Sequence, residues 1–178
     1  MSAETEFDLG SLTWVKGELD NALEAAKTAL GGWNGEDSNP LKAAAAHLHQ
    51  VYGALQIVDL QGVSQVANET ERLLADMVAR EDLRNAESSE IVLYAITALK
   101  RYLDDLMAGS PHIELRLAPV LRSVMTRRGL DAPAPSELFY PDTGMRAPRS
   151  TPEMQLSDEE RNRAIRSARL KYQKGLLQ

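Results

Sequence analysis

Residues Ala43 to Leu60 read AAAAHLHQVYGALQIVDL. With Leu41 just before it, this stretch places Leu41, Ala44, Ala45, Leu48, Val51, Tyr52, Leu55 and Val58 at three- and four-residue steps. That spacing predicts an amphipathic helix with one buried side. At 3.6 residues per turn, His49 falls just off the edge of the stripe, and Gly53 lies one turn further along the same side. Lys42, His49 and Gln56 form a polar ridge at seven-residue steps. A histidine beside a core face, with no side chain on the next turn, presents an accessible ring nitrogen. His47 lies about 200° from His49 around the helix, on the opposite edge. The two are expected neither to converge nor to share a metal ion.

The rest of the chain repeats the helical period. Leu12, Val15, Leu19, Ala22, Leu23, Ala26 and Leu30 predict a helix from about Ser11, as cap, to Leu30, stopped by Gly31-Gly32. Trp33 reads as a lid on the bundle end. Ser38 or Asn39 is the expected cap of the central helix, with Pro40 in its first turn. That helix is expected to end near Asp59, which would cap the next. The third helix buries Val63, Val66, Ala67, Thr70, Leu73, Leu74 and Met77. Its short link to the second requires an antiparallel pair. Ser88 or Ser89 would cap a fourth helix lined by Ile91, Ala95, Ile96, Leu99, Leu103 and Leu106. Ile113 to Gly129 predicts a fifth helix, either preceded by a short turn or kinked at Pro119. His112 reads as a loop or helix-start residue with no implied role.

Leu130 to Gln155 holds five of the eight prolines and has no period, although Leu138, Phe139 and Tyr140 are apolar enough to dock on the bundle. Ser157-Asp158-Glu159-Glu160 is a capping box. It opens a helix with the stripe Ile165, Ala168, Tyr172 and Leu176, still running at Gln178, as expected of a domain that continues into a longer protein. The expected architecture is all-α: an antiparallel four- to five-helix bundle over residues 1–129, a Pro-rich irregular segment over 130–156, and a basic C-terminal helix over 157–178.

Composition limits the function. The net charge of −6 argues against a nucleic-acid-binding body. From Ser157 onward the balance reverses to six Lys/Arg against three Asp/Glu. Those cations are spread around the helix, which again disfavours nucleic acid. A linker to a following domain, a self-association surface for a homo-oligomer and a partner-docking helix are its three readings. The chain has no cysteine, which excludes disulfides, thiolate metal sites and cysteine nucleophiles. The start, MSAETEFDLG, has neither a basic nor an apolar run, so no leader is expected. No apolar stretch approaches the ~20 residues of a membrane span. Phosphate-binding glycine loops, G-x-S-x-G and H-E-x-x-H are absent. Asp104-Asp105 and Glu159-Glu160 are adjacent in sequence and so point to different sides of a helix. A free-standing enzyme, a bound cofactor and a metal site are therefore not expected.

What remains is His49 with Gly53. Imidazole is nucleophilic near neutral pH. An exposed, fixed ring can take a phosphoryl group on nitrogen and pass it on. The competing reading is a bland one: histidines are common on helix flanks, and a glycine there can simply let another helix approach.

His49-Gln50-Val51-Tyr52-Gly53 resembles the H-x-x-K-G core of histidine phosphotransfer (HPt) domains. The match runs without gaps through Leu55, Val58, Leu60, Val63, Glu69, Glu71, Leu73 and Leu74. HQVYGALQIVDLQGV, with WVKGEL at Trp14 to Leu19, LFYPD at Leu138 to Asp142 and SARLKYQKGLL at Ser167 to Leu177, is similar to something narrower. It looks like the N-terminal domain of ChpA/PilL-type hybrid chemotaxis histidine kinases, which control type IV pilus twitching motility, and like the related FimL. The resemblance implies a bacterial cytoplasmic signalling domain recruited to the cell pole. His49 would be its phospho-acceptor and Gly53 its spacer, with Lys42, Gln50 and Gln56 docking a partner. Partners would be the parent protein's kinase domain, receiver domains of response regulators and polar pilus-regulatory proteins. The family's usual lysine, three residues after the histidine, is Tyr52 here. The alternative is thus a FimL-like docking domain that is never phosphorylated.

Overall fold

The computed structural model describes residues 9–131, 134 and 138, and in the C-terminal part 162, 163, 165–167 and 169. The chain forms two compact units, Met1–Pro141 and Asp142–Gln178. In the first, the apolar periods become five helices: α1 Leu9–Gly31, α2 Asn39–Ile57, α3 Gln61–Ala79, α4 Ala86–Met107 and α5 Ala118–Arg128. α1 packs on α2 and α4, and α3 packs on the same two, which closes a four-helix ring. α5 lies across α3 and α4. No strand occurs among the described residues. Among the described residues, no helix is long and apolar enough to cross a membrane.

The core follows the predicted stripes. On α2, Leu41, Ala44, Leu48, Val51 and Leu55 are all fully buried. Each large side chain there contributes roughly 1.5–3 kcal/mol, far more than the few tenths per residue at stake in helix propensity. Trp33 packs against the core at the bundle end, as its lid role predicts. Leu138 from the Pro-rich segment is also buried. The expected docking of Phe139 and Tyr140, the capping box at Ser157 to Glu160, and Ala168, Tyr172 and Leu176 lie outside the described residues. Ile165, the first member of the final stripe, is half-exposed.

The helix starts differ from expectation. α1 begins at Leu9, so Ser11 is an exposed residue inside the helix rather than the one before it. At α2, Ser38 occupies the cap position without a side-chain hydrogen bond, and Asp37 accepts the Asn39 amide instead. Asn85, not Ser88 or Ser89, caps α4 by accepting the Ser88 amide at 3.1 Å. A 3₁₀ turn, Glu114–Leu117, precedes Pro119, which leaves the proline in the first turn of α5, where its missing N–H costs nothing.

The start of α3 departs most. Asp59 takes a left-handed conformation, φ 58°, and its carboxylate holds the Gln61 side chain rather than the helix. The orphan amides of α3 are met from 52 residues away: Gly62 N–H donates to Glu114 Oε1 at 2.8 Å. A β-carbon on Gly62 would fall 2.7 Å from the Glu114 carboxyl carbon, so glycine is what lets the carboxylate in. His112 completes this cluster. Its Nδ1 lies 2.9 Å from the Tyr102 hydroxyl, and its Nε2 lies 3.6 Å from Glu114. The expectation of a roleless loop residue is corrected here: His112 bridges α4 to the group that caps α3.

This cluster has a pH signature. Burial lowers the His112 pKa. Burial raises that of Glu114, against the pull of the Gly62 and Val63 amides, with Asp59 adding to the rise. A histidine depressed in the folded state contributes stability above its ordinary value, and that contribution is lost as pH falls through the folded value. Between about pH 7.5 and about pH 5.5, thermal midpoints of the wild type should therefore fall more than those of His112→Gln. Equal slopes for the two proteins would reject this assignment.

Candidate functional site

The site is the seam between α2 and α3, whose register two side-chain pairs define. Gln56 Nε2 donates to Ser64 Oγ at 2.7 Å. Two turns back along α2, His49 Nδ1 lies 3.2 Å and 3.3 Å from the two Glu71 carboxylate oxygens. Moving seven residues back along α2 moves seven forward along α3, as the short connection between them requires.

The His49 side chain is 70% exposed, and Glu71 is 25% exposed. A carboxylate can only accept, so the Nδ1 it faces carries the ring hydrogen. In the neutral ring, Nε2 then has the lone pair and points away from α3. A β-carbon built on Gly53 meets no atom within 4 Å. No helix therefore approaches through this glycine, and its effect is to leave the backbone one turn from His49 bare. Tyr52 packs its ring against the core, with the ring centre 6.4 Å from that of His49.

The other expected site residues divide. Lys42 is exposed two turns before His49, about 10 Å along the helix, and forms no ion pair with a described residue. Gln50 is exposed on the outer face, with its side-chain oxygen 3.5 Å from His47 Nδ1. Gln56 is tied to α3 through Ser64. His47 sits half-buried on the far edge, away from His49, as its position predicts. No group of three His, Cys, Asp or Glu side chains able to hold a metal occurs among the described residues.

Glu71 entered the sequence reading only as one position of an ungapped match. The signal that finds it is the register: with a link of three residues between antiparallel helices, the α3 residue opposite His49 lies some 22 positions downstream. The remaining charges at this level point elsewhere. Arg72 turns to Glu69 at 3.1 Å, so the residue next to Glu71 supplies no cation to the histidine.

A four-helix ring with an exposed, carboxylate-held histidine on its second helix has a counterpart among known domains. Residues 11–109 match the Hpt domain family. The chain belongs to the Hpt domain family. The match covers all of α1 to α4 apart from the first two residues of α1, and it ends before α5. Among characterised proteins, the chain is 29% identical over 170 residues to the scaffold protein FimL of Pseudomonas aeruginosa. That alignment takes in 94% of this chain but 30% of the relative, so the chain spans under a third of FimL. No solved structure matches it. As a member of the Hpt family the chain has the helical bundle of a phosphorelay signalling module.

Proposed function

We propose that this Hpt domain accepts a phosphoryl group on His49 Nε2 in a chemosensory phosphorelay that controls type IV pili. The observation that supports this is the His49 environment: Nδ1 held by Glu71, a side chain 70% exposed, and bare backbone at Gly53. In the forward step, Nε2 attacks the γ-phosphorus of ATP held by a kinase domain. The bond from that phosphorus to the ADP oxygen breaks and ADP leaves. The ring gains positive charge, which the Glu71 carboxylate offsets. Transfer to a receiver aspartate reverses the geometry, the N–P bond breaking as an O–P bond forms. The domain holds and passes the group and is not itself an enzyme. The resemblance of HQVYGALQIVDLQGV and WVKGEL to ChpA/PilL-type kinases supports the link to pilus regulation.

A second reading has its own support. Tyr52 presents a neutral ring beside His49, and the relative FimL is named a scaffold protein. On that reading the same seam, with Lys42, Gln50 and Gln56 around it, docks a partner without chemistry.

Incubation with the kinase region of a chemotaxis-type partner and labelled ATP separates the two. The expected result is label on the wild type and none on His49→Gln, with the circular dichroism and thermal midpoint of the two unchanged. Label that persists in His49→Gln would remove His49 from the mechanism. An unlabelled but folded wild type that still binds its partner would leave docking as the function.

A further inference from the structure

We propose that the Tyr52 hydroxyl is a neutral hydrogen-bond donor to the phosphoryl group on His49, at a site where the described residues place no free cation beside that group. The inference rests on the phospho-acceptor reading of His49 and adds to it the residue that receives the anion.

Three observations converge. First, the Tyr52 ring lies 6.4 Å from the His49 ring, centre to centre, and is tilted by 43°. Packing against the core fixes the ring there. Second, no described residue hydrogen-bonds to the Tyr52 hydroxyl, yet it is not among the buried polar atoms that lack partners; Trp33 Nε1 alone is, among the described residues. The hydroxyl therefore reaches solvent, on a ring that touches the neighbourhood of His49. Third, the charges nearby do not serve. Glu71 is an anion on the Nδ1 side, Arg72 is engaged by Glu69, and Lys42 is two turns away. A phosphoryl group carries close to two negative charges and three strong acceptor oxygens. Hydrogen bonds to such an acceptor are stronger than neutral ones. A phenol whose ring centre lies 6.4 Å from that of the imidazole can give one without adding charge. It leaves the phosphorylated seam strongly negative, and this would favour release to a partner that brings its own cation.

Potassium phosphoramidate tests this without a kinase. Nε2 attacks phosphorus, the P–N bond of the N-protonated reagent breaks, and ammonia leaves. The ring keeps its Nδ1 hydrogen against Glu71 and carries the positive charge. Intact-mass and phosphorus NMR measurements on the whole chain follow the product. Wild type should gain one phosphoryl group, on His49. Tyr52→Phe keeps the packed ring and loses only the hydroxyl. It should need about fivefold more phosphoramidate for half-saturation, the scale of one hydrogen bond to an exposed anion, with the limiting rate and thermal midpoint unchanged. Tyr52→Lys, which supplies a cation, should match or exceed wild type in affinity. Identical saturation curves for wild type and Tyr52→Phe would overturn the proposal while leaving His49 as acceptor. Failure of wild type to gain phosphate on His49 would instead sink the phospho-acceptor reading, and this inference with it.

Discussion

Arg128→Ala is expected to destabilise the domain by about 3 kcal/mol, and to lower its thermal midpoint by on the order of 10 °C. Arg128 ends α5, and its guanidinium spans two carboxylates of α3. One nitrogen pairs with Glu69, and Nε donates to Asp76 at 2.7 Å. The Arg128 and Glu69 side chains are 14% and 11% exposed, so most of the water that would solvate either charge is gone. An exposed ion pair is worth little, but removing one member of a buried pair strands the other. Glu69 would be left with Arg72, which is more than half exposed and poorly placed to compensate. The double variant Glu69→Gln with Arg128→Met should recover much of the loss, because it removes the charge along with its partner. Chemical denaturation of wild type, Glu69→Gln, Arg128→Met and the double variant makes the cycle. A loss below about 1 kcal/mol for Arg128→Ala would place this pair with ordinary surface ion pairs.

Arg128 lies beyond the residues that match the Hpt family, and so does Glu114. Both act on α3. Glu114 meets the amides at its start, Arg128 grips its flank, and Arg84 donates to the Met77 and Val78 carbonyls at its end. The helix that carries Glu71 is thus held at both ends and along one side by polar groups from outside the α2–α3 hairpin.

The bundle was legible in the sequence because burial has a period. Leu48, Leu74 and Leu99 are fully buried at the positions their stripes predict. The short α2–α3 link fixed an antiparallel pair before any coordinates. Helix starts were less legible because caps are chosen by competition. Asn85 stands just before α4 and accepts the Ser88 amide, while both serines lie inside the helix, and no local pattern announces that a glutamate 52 residues away caps α3. His112 was unreadable for the same reason: its neighbours Tyr102 and Glu114 come from α4 and from a 3₁₀ turn. His49 and Gly53 were visible because their exposure depends on one helix alone. Glu71 needed the register between two helices.

Glu71→Ala is expected to slow phosphoryl transfer onto His49 by about tenfold, the low end of what removing a histidine's orienting carboxylate does in more enclosed sites. On the phospho-acceptor reading of His49, Glu71 does not touch the phosphoryl group and acts through Nδ1 as a positioning residue. With the carboxylate 3.2 Å from Nδ1, the hydrogen stays there and Nε2 keeps its lone pair. As Nε2 attacks, the ring becomes positive, and the same carboxylate stabilises that charge. Alanine removes both effects, so the ring turns freely and samples the tautomer with the hydrogen on Nε2, which cannot attack. Glutamine keeps an acceptor oxygen without the charge. Glu71→Gln should therefore restore the tautomer but only part of the rate. Nitrogen-15 NMR of the imidazole reads the tautomer directly, and a merely structural role for Glu71 would not move it. Wild type and Glu71→Gln should show the hydrogen on Nδ1, and Glu71→Ala a mixture. Thermal midpoints should stay together, since Glu71 is on the solvent side of α3 and caps nothing. A wild-type ring with its hydrogen on Nε2, or an alanine variant phosphorylated as fast as wild type, would leave the His49–Glu71 contact without a part in the chemistry.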